Sequence, residues 1–358
     1  MRADYHVHTE FSDDSDYAME KVIQDSIAMG LDEICFTDHV DYGIKKDWDE
    51  PGKMIYRKGS PGEPDEMPLA NVHYPTYYET FKEMWALYHD KIELKLGLEF
   101  GMQAHTIEKY EKLFARFPFD FIILSVHEVE DKEFWTQDFQ RGRTQKEYNE
   151  RYYEELLYLV ENYHNYSVLG HMDLITRYDK AGTYSFKKLK PILTKILKTV
   201  IADGKGIEVN TSSYRYGLSD LTPSRDILKL YWELGGRILT IGSDSHKPEH
   251  LGTFINETKQ ELKALGFKKF CTFGQNATDF SSIIINLIKQ PVCNEAYRLL
   301  AFYNSNESSA STHICKLPSR YNLAYSSGSS TASEVNAQSD PGVVFKSFSP
   351  SQQSMRSI

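Results

Sequence analysis

The sequence predicts an α/β protein built as a parallel barrel with a polar, metal-binding mouth. Two observations lead there. Short apolar runs with buried-strand character alternate with amphipathic stretches at helical spacing, joined by short links. Seven of those runs also end in side chains suited to metal ions: HVH (His6, His8), TDH (Asp38, His39), GLEFG (Glu99), SVH (His127), GHMD (His171, Asp173), EVN (Asn210) and GSDSH (Asp244, His246). A barrel strand buries its body and offers its C-terminal end to solvent, so seven such ends converge on one polar mouth.

The strands, in order, are ADYHVH, DEICFT, LKLGLEF, DFIILSV, YSVLGHM, KGIEVN and RILTIGS. Apolar residues at helical spacing over 17–30, 77–90, 106–117, 146–163, 186–204 and 224–236 predict the intervening helices. A further helix-strand pair over 256–273 closes the repeating part. Residues 43–75 hold five prolines and no sustained period, and read as a long loop on the mouth side after the TDH strand, suited to a lid or specificity wall. The barrel therefore occupies residues 1–275. Residues 276–303 read as a helical extension, and 304–358, rich in Ser, Asn and Gly, as a disordered tail that cannot bury enough apolar surface to offset chain entropy.

Composition narrows the function. A chain of 358 residues with 41% hydrophobic and 13% aromatic residues can build a large core. A net charge of −10 argues against nucleic acid as a partner, because phosphate-backbone binding needs clustered Lys and Arg. The chain opens on strand-like residues, and no run approaches the ~18 apolar residues of a membrane helix. The expectation is a cytoplasmic protein with no membrane partner. Cys35, Cys271, Cys293 and Cys315 lie far apart without a CxxC pair, so neither a disulfide scaffold nor a thiolate zinc site is expected, and Cys35 reads as core.

His-x-His on a strand places His6 and His8 on one face, able to grip one ion. Six of the twelve histidines (His6, His8, His39, His127, His171, His246) fall at strand ends. A single histidine there is often a hydrogen-bonded core residue. Six at one rim, beside Glu99 and Asp244, would crowd polar groups without partners unless cations sit among them.

The motifs HVHTEFSDDS, FTDH, SVH and SDSH, in this order, resemble those of the polymerase and histidinol phosphatase (PHP) superfamily of metal-dependent phosphoesterases. The resemblance covers about residues 1–273. Through DYHVHTEFS, GHMDLITRY and EVNTSSYRYG the chain looks most like the monofunctional histidinol-phosphate phosphatases of that superfamily. It implies a distorted (β/α)7 TIM-like barrel holding two or three divalent ions, Zn, Mn or Fe. Carried over by motif, one ion takes His6, His8, Glu99 and Asp244, and Glu99 bridges to a second held by His127 and His171. A third takes Asp14, His39 and His246, with the adjacent Asp13 as a competitor for Asp14.

The implied reaction is hydrolysis of L-histidinol phosphate to L-histidinol and phosphate, the penultimate stage of histidine biosynthesis. Clustered divalent ions suit it, since they acidify water and neutralise phosphoryl oxygens. Asp244, His246 or a water would protonate the leaving alkoxide. Arg177 and Arg215, just past strand ends, either fork onto phosphate oxygens or form surface ion pairs. Asp38 and Asp173 are candidates to orient ligating imidazoles, or else a turn residue and a helix cap. Other readings are a PHP phosphoesterase for a nucleotide or sugar phosphate, an amidohydrolase on a similar barrel, and a non-catalytic metal-binding module. The amidohydrolases typically place a lysine at a strand end, and none stands there. The sequence leaves oligomeric state open.

Overall fold

Seven parallel strands follow one another around the sheet in chain order: β1 (Ala3–Val7), β2 (Glu33–Phe36), β3 (Glu93–Gly101), β4 (Phe121–Ser125), β5 (Val168–Leu169), β6 (Gly206–Asn210) and β7 (Leu239–Gly242). The computed structural model describes residues 1–47, 55–58, 66–274 and 277–282. Those that follow Ser282 include the expected tail 304–358 and most of the expected extension 276–303, which lie outside the described residues.

The sheet is nearly closed into a barrel. Val7 forms a parallel bridge with Ser245, just past β7, in which the His8 N–H donates to the Ser245 carbonyl at 2.8 Å. Asp4 on β1 reinforces the seam by accepting from the Ser243 and Gly252 N–H groups at 2.8 and 2.9 Å. Every residue of β1, β2, β4, β5, β6 and β7 is buried, as expected of parallel strands covered by helices.

Among the described residues, seven helices fall within a few residues of the stretches predicted: α1 (Met19–Met29), α2 (Tyr74–Tyr88), α3 (Ile107–Phe114), α4 (Gln145–Asn162), α5 (Phe186–Ala202), α7 (Arg225–Glu233) and α8 (Ile255–Ala264), and the single turn α6 (Ser212–Arg215) follows β6 where no helix was expected. In α5, Leu189, Leu193, Ile196, Leu197 and Val200 form the buried stripe, the i, i+4, i+7, i+8 pattern visible in the sequence. Thr144 and Glu147 form a capping box that starts α4, and Gly30 at φ 70° ends α1.

Two segments differ from expectation. Within 43–75, read as loop, Ile55–Lys58 pairs antiparallel with Glu66–Leu69, and α2 already begins at Tyr74. Four-residue strands are too short to show a period, and the intervening Gly and Pro residues dominate the local signal. Past 275, where a helix was expected, β9 (Ala277–Ser282) lies antiparallel to β8 (Lys269–Gly274). The inner residues of β8 are core: Phe270 and Cys271 are buried, and the Phe273 N–H donates to the Tyr5 hydroxyl at 2.7 Å. Cys35 is buried core, as expected. Among the described residues no helix is long and apolar enough to cross a membrane.

Candidate metal centre

The register of the barrel builds the site. A two-residue strand, His39–Val40, continues after β2 and pairs parallel with the end of β3, setting His39 directly beside Glu99. Glu99 is 1% exposed and stands at the centre of the cluster. Its two oxygens face different partners. Oε1 lies 2.7 Å from His171 Nε2, 3.1 Å from His127 Nε2 and 2.7 Å from the donating Ser125 hydroxyl. Oε2 lies 3.1 Å from His6 Nε2, 3.1 Å from His39 Nδ1 and 3.6 Å from His8 Nε2.

Asp244 completes the first group of donors, its Oδ1 being 3.8 Å from His6 Nε2 and 3.6 Å from His8 Nε2. At the mouth, Asp14 Oδ2 lies 3.2 Å from His246 Nε2 and 3.5 Å from His39 Nε2. The neighbouring Asp13 turns away and accepts from Lys45 Nζ at 2.7 Å, so Asp14 is the carboxylate that the fold brings to these histidines.

Imidazole and carboxylate donors are the mixture that Zn, Mn and Fe accept. The spacings also fit: a tetrahedral zinc with bonds of about 2.0–2.1 Å separates its ligands by about 3.4 Å. His6 Nε2, His8 Nε2, Glu99 Oε2 and Asp244 Oδ1 span 3.1–3.8 Å from one another among the pairs described above. His8 Nε2 is buried without a hydrogen-bond partner, the state expected of a lone pair reserved for a cation. Several overlapping triads of close donors recur here, among them His6–His8–Asp244, His6–Glu99–His171, His39–Glu99–His127 and His8–His39–His246.

Electrostatics agree. Burial opposes charge on Glu99, yet His6, His127 and His39 hold its carboxyl well below the usual range. Burial likewise opposes charge on His6, but Glu208, Glu99 and Asp244 hold it well above the ordinary imidazole value. His8 goes the other way: burial, then the neighbouring His246 and His39, push it well down. Its ring stacks between theirs, 4.0 Å from His246 and 4.2 Å from His39. A neutral His8 is competent to ligate.

The residues that orient the imidazoles are mostly ones the sequence reading passed over. Glu208, on β6, lies 2.5 Å from His6 Nδ1 and accepts from the His171 N–H at 3.0 Å. Asp41 lies 2.7 Å from His127 Nδ1, and Lys45 holds its other oxygen at 2.9 Å. Two glycines leave room for these carboxylates. A Cβ at Gly101 would overlap Asp41 and His127, and one at Gly242 would overlap His6 and crowd Glu208. Both carboxylates had a signal in the sequence: Glu208 sits two residues before Asn210 and shares its face of β6, and Asp41 sits two residues past His39.

Asp38 and Asp173, expected to orient imidazoles, do so in neither case directly. Asp38 accepts from the Thr9 N–H, the Thr9 hydroxyl and the Ser12 hydroxyl at 2.7, 2.9 and 2.7 Å, and burial raises it to about 6. Ser12 is the group that meets an imidazole, 3.2 Å from His8 Nδ1. Asp173 accepts from the Ser224 N–H at 2.8 Å, and burial raises it to about 7. Asn210, at the end of β6, donates to Asp244 Oδ2 at 3.3 Å.

Both arginines reach the site. Arg177 is partly buried, its side chain 8% exposed; it donates to the Ser212 hydroxyl at 2.6 Å, approaches Asp244 Oδ2 at 3.8 Å and lies 4.1 Å from the Tyr216 ring centre. Arg215 donates to the Ser243 and Asp244 carbonyls at 2.6 and 2.8 Å. Asp244 has φ 57°, a left-handed conformation uncommon outside glycine, and Arg215 braces it there.

Comparison with known proteins agrees with this geometry. The PHP domain family matches residues 4–212. The histidinol-phosphatase of Lactococcus lactis subsp. lactis (strain IL1403) is 31% identical over 278 residues, which covers 76% of this chain and 94% of that relative. A probable histidinol-phosphatase from Thermotoga maritima is 26% identical over 275 residues, 76% of this chain and 96% of the relative. A crystal structure of the Lactococcus lactis histidinol phosphate phosphatase, complexed with zinc, L-histidinol and phosphate, matches with a TM-score of 0.64 at 30% identity, covering 76% of this chain and 97% of that one.

Proposed function

The chain belongs to the PHP domain family, and from that premise we propose that it is a metal-dependent phosphomonoesterase that hydrolyses L-histidinol phosphate to L-histidinol and phosphate in histidine biosynthesis. The observation that carries the chemistry is Glu99, one buried carboxylate whose two oxygens serve two groups of imidazoles. The substrate rests on the relative whose structure holds zinc, L-histidinol and phosphate, together with its 31% identity to this chain.

In this reading two or three divalent ions, Zn, Mn or Fe, occupy the cluster: one at His6, His8, Glu99 and Asp244, one at Glu99, His127 and His171, and one at Asp14, His39 and His246. When bound, such ions supply an acidified water and positive charge for the phosphoryl oxygens. The chain's own residues do the rest. Glu208 and Asp41 fix the tautomers of His6 and His127, presenting Nε2 of each to the centre. Arg177, held between Asp244 and Tyr216, offers its guanidinium to a phosphate oxygen. Arg215 keeps one N–H on each terminal nitrogen for the same anion while bracing the Asp244 backbone. Proton delivery to the departing alkoxide falls to Asp244 or His246, which follow β7. Asp244 presents Oδ2 to Arg177 and Asn210 while Oδ1 faces His6 and His8. A cytoplasmic setting, with a small phosphorylated molecule and no nucleic acid as partner, completes the proposal and suits a chain of net charge −10.

The test is phosphate release from a panel of monoesters. The proposal expects kcat/KM for L-histidinol phosphate to exceed that for aryl, sugar and nucleotide phosphates by a wide margin. Equal rates across the panel, or preference for a nucleotide, would reassign the substrate within the family.

A further inference from the structure

Beside the metal centre, separated from it by the short 3-10 helix Leu174–Tyr178, lies a second cavity of about 230 Å³. It opens between α4, the start of α5 and α7. Among the described residues its lining carries four aspartates, Asp173, Asp179, Asp220 and Asp226, and no Lys, Arg or His. Two polar atoms of the lining are buried without a hydrogen-bond partner: Asp173 Oδ1 and the Tyr184 hydroxyl. Asp173 is 6% exposed and Tyr184 7%. A buried carboxylate oxygen without a hydrogen-bond partner costs free energy that an exposed, hydrated one does not, so its persistence points to a donor that none of the described residues supplies.

The lining also says what kind of donor. Asp179 is already saturated by Tyr148, Asn149, Gln145 and the Ala181 N–H, and Asp220 accepts on Oδ1 from Arg225 and the Leu221 N–H. A bare divalent ion wants six or more oxygens at 2.0–2.6 Å, whereas Asp173 has one uncommitted oxygen, Oδ1, because Oδ2 accepts from the Ser224 N–H. The volume is several times that of one water, about 30 Å³, and Leu189, Leu193, Leu221 and Ile227 form its apolar wall. We propose that this cavity binds a small organic ammonium, with its charged nitrogen on Asp173 Oδ1 and the Tyr184 oxygen and its hydrocarbon body against the leucine wall. The site is separate from the metal centre and independent of what that centre hydrolyses.

The chain runs directly from one site to the other. Asp173 lies two residues past His171, and the 3-10 helix that follows it carries Arg177. By linkage, an ammonium that binds better when Arg177 is engaged must strengthen anion binding to the same degree.

The experiment titrates isoamylammonium into the metal-loaded full chain by calorimetry, with inorganic phosphate present at saturation to occupy the metal centre. Saturable binding of about one equivalent is expected. Asp173→Asn should weaken it by about tenfold or more, as loss of one partner of a buried charged pair does. Ser219→Trp, at an exposed position on the cavity rim, should weaken it while leaving melting temperature and metal content unchanged. Absence of saturable binding, affinity unchanged in Ser219→Trp, or displacement of the amine by phosphate would each overturn the proposal.

Discussion

Glu208 Oε1 sits 2.5 Å from His6 Nδ1, both side chains fully buried, and this contact decides which way His6 faces. With Nδ1 committed to Glu208, Nε2 is left to Glu99 and Asp244. The same Glu208 accepts from the His171 backbone, so one carboxylate positions donors of two groups. Glu208→Gln keeps the shape and removes the charge. It should lower metal affinity or kcat/KM by about 10–100-fold, the usual cost of losing an outer partner of a ligating imidazole. Metal titration of wild type and variant checks this, and identical affinities would show that Glu208 is only a packing residue.

Gly101 is the opening through which Asp41 reaches His127. Gly101→Ala should displace that pair, so metal content falls while circular dichroism stays that of a folded barrel. Asp41→Asn, which frees His127 without steric conflict, should reproduce the loss in milder form. A Gly101→Ala protein with normal metal content and turnover would place the Asp41–His127 contact outside the working site.

The two arginines should separate by mechanism. Arg177→Ala removes a charge-assisted contact of ~1.5–3 kcal/mol, so kcat/KM should fall by roughly ten- to over a hundredfold with metal content unchanged. Arg215→Ala also releases the strained Asp244 backbone and should therefore reduce metal content together with turnover. Steady-state kinetics with elemental analysis on the same samples distinguishes these outcomes.

The boundary of the barrel is testable by truncation. β8 contributes Phe270 and Cys271 to the core and pairs with β9 along its whole length. A chain stopped after Ser282 should fold, bind metal and turn over substrate like the full protein. One stopped before Gly266 loses this hairpin and should aggregate. An insoluble 1–282 fragment would place part of the remainder within the barrel's packing.

Much of the site was legible because parallel strands are buried and end at one mouth, so HVH, TDH, SVH and SDSH declare their positions by pattern alone. Asp14 against Asp13 was not, because neighbouring residues in a loop are separated only by where Lys45 and His246 sit. Glu208 and Asp41 were within reach through period-two spacing from Asn210 and His39. Asp38 was legible as a site residue, but its action through Ser12 depends on a contact between distant segments. ATDFSS in β9 escaped because a short polar run has no pattern of its own and is a strand only by pairing with β8.

The central claim, that Glu99 and the surrounding histidines hold ions that hydrolyse histidinol phosphate, is tested most directly by phosphate release from L-histidinol phosphate before and after chelation. Bound metal is counted on the same sample, and Glu99→Gln serves as the matched variant. The account predicts more than one transition-metal ion per chain, activity lost with the metal and restored on adding it back, and a Glu99→Gln protein among the most damaged of single variants. Turnover indifferent to chelation, in a chain free of bound metal, would contradict it.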